Sequence, residues 1–450
     1  MNRQKKLLLL LGVLVLTSAL TLGVMRQEEH KEKIKNTPAT VLELTDIDSV
    51  SWDYDGQSYA FRKEEAQWTY DADEAFPVDP EKMEDLLEQF ASLGAAFTIE
   101  EPEDLGQYGL KSPQCTIRLT QGEQTVELLL GDYSQMDSQR YASLGDGNVY
   151  LLSHDPLEEF DTDLSGLILQ DEIPQFGTVE NITLSDGDSF TRDEDGVGFD
   201  DDDLYFRDSD GGALDTDRVK AFVKNLQNTS LTDYVTYNAT REDLEGCYLA
   251  FPARTVTLTY VPDEEDAGEQ TFTLHLGKEP DKSEDEPGQA YVRVGDSPIL
   301  YRVSDTTYEA LNACTYNDLR HKDVFCADFA QATAMTVTMD GTTREFTKQT
   351  PEDGDEAVWM LDGEEVDLSD VETALKCLTA EEFTTNAPAD KQELTVTVQL
   401  DREGPSEMTI ALYRQDGKQS LARLNGKSLC YLRRADAVSL MEALNEILLG

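Results

Sequence analysis

Residues 104–120 read DLGQYGLKSPQCTIRLT, and residues 243–259 read DLEGCYLAFPARTVTLT. The two stretches align without a gap and share an Asp-Leu pair, a leucine, a proline and an alternating apolar run at the end. Such self-similarity between distant parts of a chain indicates one structural module used more than once. Repeated modules more often build interaction surfaces than a catalytic pocket, because a pocket needs unlike residues that converge on one point.

A helical pattern upstream of each stretch extends the repeat to three copies. Apolar residues spaced three or four positions apart form one face of a helix. They are Met83, Leu86, Leu87 and Phe90 in the first copy, Val219, Phe222, Val223 and Leu226 in the second, and Val371, Ala374, Leu375 and Leu378 in the third. The first helix is predicted to begin at the N-cap Asp79, with Pro80 at its first position, and to stop at Gly94.

Alternating apolar and polar runs predict strands with one face towards solvent around each helix. In the first module they cover 116–120, 125–130, 140–143 and 148–152, after a hairpin turn at Asp55-Gly56. The predicted fold class is therefore α+β, with about three repeated modules, each an antiparallel β-sheet with a crossing helix. The modules are expected to cover residues 41–175, 176–327 and 328–450, and the third lacks the Asp-Leu…Pro stretch.

The amino terminus predicts a membrane anchor. Leu7 to Met25 carry no charge and follow Arg3, Lys5 and Lys6. As a helix this run would be about 28 Å long, close to the hydrocarbon thickness of a bilayer. We predict a transmembrane helix within residues 1–25 and a juxtamembrane linker at 26–40, with the amino terminus cytoplasmic and the body extracytoplasmic. A cleaved signal peptide is the alternative, but the run is long for one and ends without a small-residue cleavage site.

The charge balance excludes one class of partner. Asp and Glu number 91 against 37 Lys and Arg, which gives a formal net charge of −54. A surface this acidic repels phosphate backbones, so we expect no nucleic-acid partner. The same charge would attract cations or a basic protein surface, or would serve only to keep the protein soluble.

No arrangement of residues indicates catalysis. The four histidines, His30, His154, His275 and His321, are scattered without metal-ligand spacing. Ser153-His154-Asp155 are neighbours in sequence, which the members of a catalytic triad rarely are. Gly131 and Gly277 end equivalent strands and are predicted to be turn glycines. We therefore predict no catalytic residue, no cofactor and no enzymatic activity.

One acidic run could bind a cation. Asp200, Asp201, Asp202 and Asp203, followed by Asp208 and Asp210, could offer carboxylate oxygens to calcium. The run does not complete the spacing of a calcium-binding loop, and a solvated hairpin loop explains it equally well. We favour the solvated loop.

Two cysteines and two tryptophans are assigned to the core, and disulfides among the six cysteines are possible but not implied. The six cysteines, Cys115, Cys247, Cys314, Cys326, Cys377 and Cys430, form no close pair, and two of them, Cys115 and Cys430, lie in apolar strand patterns that predict burial. Trp68 and Trp359 hold equivalent positions before a module helix. Packing between sheet and helix therefore explains them better than an exposed binding face does.

Three stretches together resemble a known family. Residues 104–113 lead into paired strands, residues 129–132 read LLGD, and residues 318–325 read DLRHKDVF. With the amino-terminal anchor, they resemble the bacterial DUF4340 family, a domain of unknown function. Its members are often encoded beside ABC-2 type exporters and gliding-motility-type transporter components. The resemblance implies an accessory ectodomain for such a transporter and transfers no catalytic residue.

These observations lead to a functional hypothesis with two alternatives. We expect a non-enzymatic single-pass protein of the cell membrane, whose acidic extracytoplasmic modules bind a protein partner such as an ABC-type exporter. One alternative is an envelope module that binds a cation or a cell-wall component through the acidic loops. The other is a hydrolase with an unrecognised acidic site.

Overall fold

The computed structural model of the protein describes residues 39–264, 267–283, 286–350, 357–388 and 391–449. The predicted anchor, Leu7 to Met25, lies outside the described residues. Among the helices that are described, none is long and apolar enough to cross a membrane. The chain divides into two compact units, the first ending at Gln170 and the second beginning at Asp171.

The first unit contains one sheet of nine strands among its described residues. Strands β1 to β9 are Ala39–Leu42, Ser49–Tyr54, Gln57–Glu64, Gln67–Tyr70, Leu93–Ile99, Cys115–Gln121, Gln124–Ser134, Gln139–Ser143 and Val149–Leu152. The α-helices are Pro80–Glu88 and Leu157–Phe160, and the 3₁₀ helices are Gln89–Ser92, Leu105–Tyr108 and Leu164–Gly166.

The second unit contains two further nine-stranded sheets within the residues that the structure describes. Strands β10 to β18 are Thr178–Leu184, Ser189–Arg192, Tyr205–Arg207, Ala213–Leu214, Tyr234–Thr236, Arg254–Val261, Gln270–Lys278, Ala290–Val294 and Leu300–Val303. Strands β19 to β27 are Ala332–Met339, Thr342–Gln349, Val358–Leu361, Glu364–Val366, Ala380–Phe383, Gln392–Leu400, Glu407–Arg414, Gln419–Leu424 and Lys427–Arg433. The α-helices are Thr216–Gln227, Arg241–Gly246, Asp305–Asn312, Tyr316–Leu319, Ser369–Lys376 and Arg434–Leu449, and Phe329–Gln331 is a 3₁₀ helix.

The three sheets share one topology, which confirms the repeat. The second sheet has the order β13-β12-β11-β10-β15-β16-β17-β18-β14, and the third has β22-β21-β20-β19-β24-β25-β26-β27-β23. The first, β4-β3-β2-β6-β7-β8-β9-β5-β1, differs by gaining β1 at one edge and lacking a fourth strand at the other. Neighbouring strands pair antiparallel, as in β6 with β7 and β15 with β16.

The topology also explains why each module has a crossing helix. In the second and third sheets the strand before the module helix lies at one edge, and the strand after it lies at the opposite edge. The connection must therefore pass across a face of the sheet, and an amphipathic helix covers the apolar side chains on that face. Leu86, Phe222 and Leu375 are buried on the three module helices, as their shared pattern predicts.

The start of the first module helix is as predicted, but its end is not. Asp79 is the N-cap and accepts hydrogen bonds from the backbone N–H groups of Glu81 and Lys82, at 3.0 and 3.4 Å. The α-helix ends at Glu88, a 3₁₀ turn follows, and β5 begins at Leu93, so the predicted end at Gly94 is wrong. Apolar residues continue into the 3₁₀ turn and the strand, where they remain buried, so the spacing alone could not locate the end of the helix.

Candidate functional site

The repeated stretch forms a loop that rests on a strand of its own module. Gly131 lies inside β7 and Gly277 inside β16, so both are strand residues and the prediction of turn glycines is wrong. A Cβ atom on Gly131 would lie 2.0 Å from the carbonyl oxygen of Tyr108, and one on Gly277 would lie 2.5 Å from that of Cys247. Glycine is required at both places because the loop backbone passes directly over the strand.

The two loops share a left-handed backbone position but carry different residues there. Gly109 adopts a left-handed conformation with φ of 72°, and Tyr248, at the same position of the repeat, does so with φ of 57°. Glycine tolerates this region freely, whereas a bulky side chain there is strained by about 1 kcal/mol or more. Tyr248 is 42% exposed and Phe251 is 88% exposed, so the second loop presents two aromatic side chains to solvent.

The acidic run does not converge on one point. Asp200 accepts a hydrogen bond from the backbone of Asp202 at 3.0 Å, and Asp201 forms an ion pair with Arg402 at 2.6 Å. Asp210 caps the backbone N–H of Gly212 at 3.2 Å, and Asp208 is exposed. Within the described ranges, no group of three or more His, Cys, Asp or Glu side chains could hold a metal ion.

Asp203 is the buried member of the run, and its partner is His321. Asp203 Oδ1 lies 2.6 Å from His321 Nε2, and Asp203 Oδ2 is buried without a hydrogen-bond partner among the described residues. Burial opposes protonation of His321, but the hydrogen bond to Asp203 and the charges of Asp203, Asp215 and Asp200 outweigh it. The pKa of His321 is therefore raised above its ordinary value.

A cavity of about 700 Å³ lies next to this pair, between the second and third sheets. Arg207, Tyr316, Arg320 and His321 line it from the second module, and residues of the β26–β27 turn, including Lys427, line it from the third. Its volume lies within the range of about 300–1,000 Å³ that is common for small-ligand sites. No catalytic motif in the sequence pointed to this cavity, although residues 318–325 of the family resemblance contain Arg320 and His321.

Two arginines contact the same tyrosine at this cavity. The guanidinium carbons of Arg207 and Arg320 each lie 4.7 Å from the centre of the Tyr316 ring. Arg320 also lies 4.3 Å from the centre of the Phe383 ring, which belongs to the third module. Arg207 is neutralised by Asp188 Oδ1, at 2.8 Å from Nε and 2.6 Å from Nη2.

The neighbours Ser153, His154 and Asp155 form no triad. His154 is exposed, whereas the buried carboxylate of Asp155 accepts hydrogen bonds from Arg140 Nε at 2.7 and 2.8 Å. Arg140 Nη1 also donates to the carbonyl oxygen of Gly131 at 2.7 Å. This ion pair therefore anchors the strand under the first loop, and the sequence carried no sign of it because Arg140 is 15 residues from Asp155.

Four of the six cysteines, Cys115, Cys247, Cys314 and Cys430, are buried, whereas Cys377 is exposed. Cys115 and Cys430 are fully buried, as predicted, and burial raises the pKa of each thiol to about 12. All six cysteines are free thiols. Trp359 packs against the core of the third module and lies 5.8 Å from Phe329, and Trp68 is half-buried. These contacts confirm the assignment of Trp359 to the core.

One comparison with known proteins gives a match. The model of the family described as "Domain of unknown function (DUF4340)" matches residues 68–203 and 205–399. No curated protein matches the chain. Because the two matched segments together cover well over half of its residues, the chain belongs to the DUF4340 family.

Proposed function

We propose that the protein is a non-enzymatic, single-pass membrane protein whose extracytoplasmic modules bind a protein partner. In this proposal Leu7 to Met25 form the anchor, and the partner is an ABC-type exporter in the same membrane. One observation carries the partner-binding part, namely the loop of the second module that exposes Tyr248 and Phe251.

The loop has the chemistry of a protein contact. Aromatic side chains supply much of the binding energy at protein interfaces, and a tyrosine adds a polar group at the rim. Tyr248 occupies a left-handed conformation that glycine fills in the first module. Tyr248 is 42% exposed, so a large part of it is available to a partner. A role in recognition accounts for a strained, exposed aromatic residue where the repeat otherwise uses glycine.

Charge restricts the partner. The chain has a formal net charge of −54, so a partner surface that approaches it must carry basic residues around the apolar contact. Members of the family are often encoded beside exporters, and this resemblance is our reason for choosing an exporter permease with a basic extracytoplasmic loop.

The experiment is co-purification of the full-length protein with the permease encoded beside it. Phe251→Ser should lower the recovered permease at least tenfold, because a central aromatic contact is worth about 2 kcal/mol or more. Met136→Ser is the matched control, since Met136 is 92% exposed but lies in the first module outside the loop. Equal recovery with both variants would reject the loop as the contact, and no recovery with the unaltered protein would reject the partner.

A further inference from the structure

The positive charge of the Arg320 guanidinium has no carboxylate partner among the described residues. Its guanidinium is half-buried between the rings of Tyr316 and Phe383, yet among the described residues it has no ion pair and no side-chain hydrogen bond. An arginine carries five N–H donors, and a buried one normally has them satisfied. None of its nitrogens is among the buried atoms without a partner, so these donors are open to the cavity.

Most of the other charged side chains that line the cavity are paired with an opposite charge. Arg207 is paired with Asp188 at 2.6 Å, and His321 with Asp203 at 2.6 Å. Lys427 is exposed and, within the part of the chain that the structure describes, has no carboxylate within ion-pairing distance. Asp210 is a second acid on Arg207, at 3.9 Å, and Asp323 has no ion pair, so the four acids and four basic side chains of the wall balance, counting His321. Arg320 and Lys427 are nevertheless the two cations of the wall without a carboxylate partner among the described residues.

We propose that this cavity binds a small ligand that carries an oxyanion, a carboxylate or a phosphate, on an apolar body. The planar guanidinium of Arg320, held by two rings, can donate two parallel hydrogen bonds to such an oxyanion. Lys427 adds a second positive charge, and Val197, Leu424 and Leu429 offer apolar wall to the rest of the ligand. The site is separate from the Tyr248 loop and does not depend on the proposed exporter.

Contacts with two rings hold Arg320 in place without a carboxylate. A fixed acidic partner would hold the guanidinium equally well but would occupy the N–H groups that a ligand needs. Stacking on Tyr316 and Phe383 leaves the edge of the guanidinium free and restricts its rotamers before the ligand arrives. Preorganisation of this kind favours binding because less side-chain entropy is lost.

The test is titration calorimetry of the full-length protein with three probes of similar size. N-acetylphenylalanine offers a carboxylate, phenyl phosphate offers a phosphate, and N-acetylphenylalaninamide has the same body as the first without the charge. At least one oxyanion should bind at least tenfold more tightly than the amide, and the tighter of the two identifies the anion. Affinities of both oxyanions within tenfold of that of the amide, or no saturable binding of either oxyanion at millimolar concentration, would overturn the proposal.

Three variants localise the binding. Arg320→Gln should weaken the binding of the oxyanion probe at least tenfold, and Lys427→Gln should weaken it severalfold. Lys427 is exposed and unpaired among the described residues, so this variant should keep the melting temperature and separate lost binding from lost folding. Arg344→Gln is the matched control, because Arg344 does not line the cavity and its nearest carboxylate, on Asp362, is 4.0 Å away. An equal loss in Arg344→Gln and Arg320→Gln would reduce the effect to net charge and refute the site.

Discussion

Replacing Gly131 or Gly277 with alanine should destabilise the protein, although each change adds only one methyl group. A Cβ atom at position 131 would lie 2.0 Å from a loop carbonyl oxygen, and real Cβ atoms essentially never approach closer than 3.0 Å. The loop or the strand must therefore move by about 1 Å in the first module and by about half of that in the second. Both are held by backbone hydrogen bonds, so we expect losses of about 1–3 kcal/mol, larger at Gly131.

Gly417→Ala provides the matched control for these two variants. Gly417 has no heavy atom within 4 Å of an added Cβ, and its φ is compatible with an L-residue. Alanine there should be neutral or stabilise slightly, because it reduces the freedom of the unfolded chain. Urea denaturation of the three full-length variants gives the comparison. A shift in midpoint counts as lost stability only if the dependence of the unfolding free energy on urea concentration is unchanged. Equal midpoints in all three would refute the close packing of loop on strand.

Four further predictions concern the core, the acidic loop, pH and the anchor. Phe222→Ala should lower the free energy of unfolding by about 3–5 kcal/mol, and an unchanged urea midpoint would contradict the helix assignment. Calcium and magnesium at equal ionic strength should raise the melting temperature alike, before and after Asp202→Asn and Asp208→Asn; a calcium-selective shift that the variants abolish would favour the cation-binding alternative. The pKa of His321 is raised on folding, so protonation of His321 should stabilise the protein fully below about pH 6.5 and no longer do so once the pH exceeds the folded pKa. The melting temperature should therefore fall as the pH rises through this range, and Asp203→Asn should make it less dependent on pH. The full-length protein should remain in the membrane fraction after a carbonate wash, whereas a shortened, secreted product would indicate a signal peptide.

The sequence was sufficient for the repeat and for most of the strands. Strand pairs such as Cys115–Gln121 with Gln124–Ser134 were visible because burial of one sheet face imposes an alternating pattern. The short helices Arg241–Gly246 and Asp305–Asn312 were not predicted. Neither is long enough to show helical periodicity clearly, although Asp305–Asn312 buries Tyr308 and Leu311. Both begin at an N-cap, Thr240 and Ser304.

The cavity could not be predicted from spacing. Arg320 is brought to Phe383 by the packing of the third module on the second, and the two residues are distant in sequence. The acidic run shows the reverse relation between sequence and space. Its members are adjacent in sequence but contact different partners, Asp201 with Arg402 and Asp203 with His321. Proximity along the chain is therefore no guide to which side chains meet at either place, because turn and tertiary geometry set their directions.

Comparison of the copies separates structural positions from functional ones. Gly131 and Gly277 are glycines for the same reason, the passage of a loop backbone over a strand, so their agreement shows only that the fold is retained. Gly109 and Tyr248 share a left-handed backbone but not a side chain, and the tyrosine adds strain while it remains 42% exposed. Equivalent residues of two copies of a module show which side chains the fold requires. Where one copy carries a residue that costs stability, a cause other than the fold is needed. By this reasoning Tyr248 is the position where recognition by the second module should be tested first, with Tyr248→Gly expected to stabilise the protein while weakening its binding to the partner.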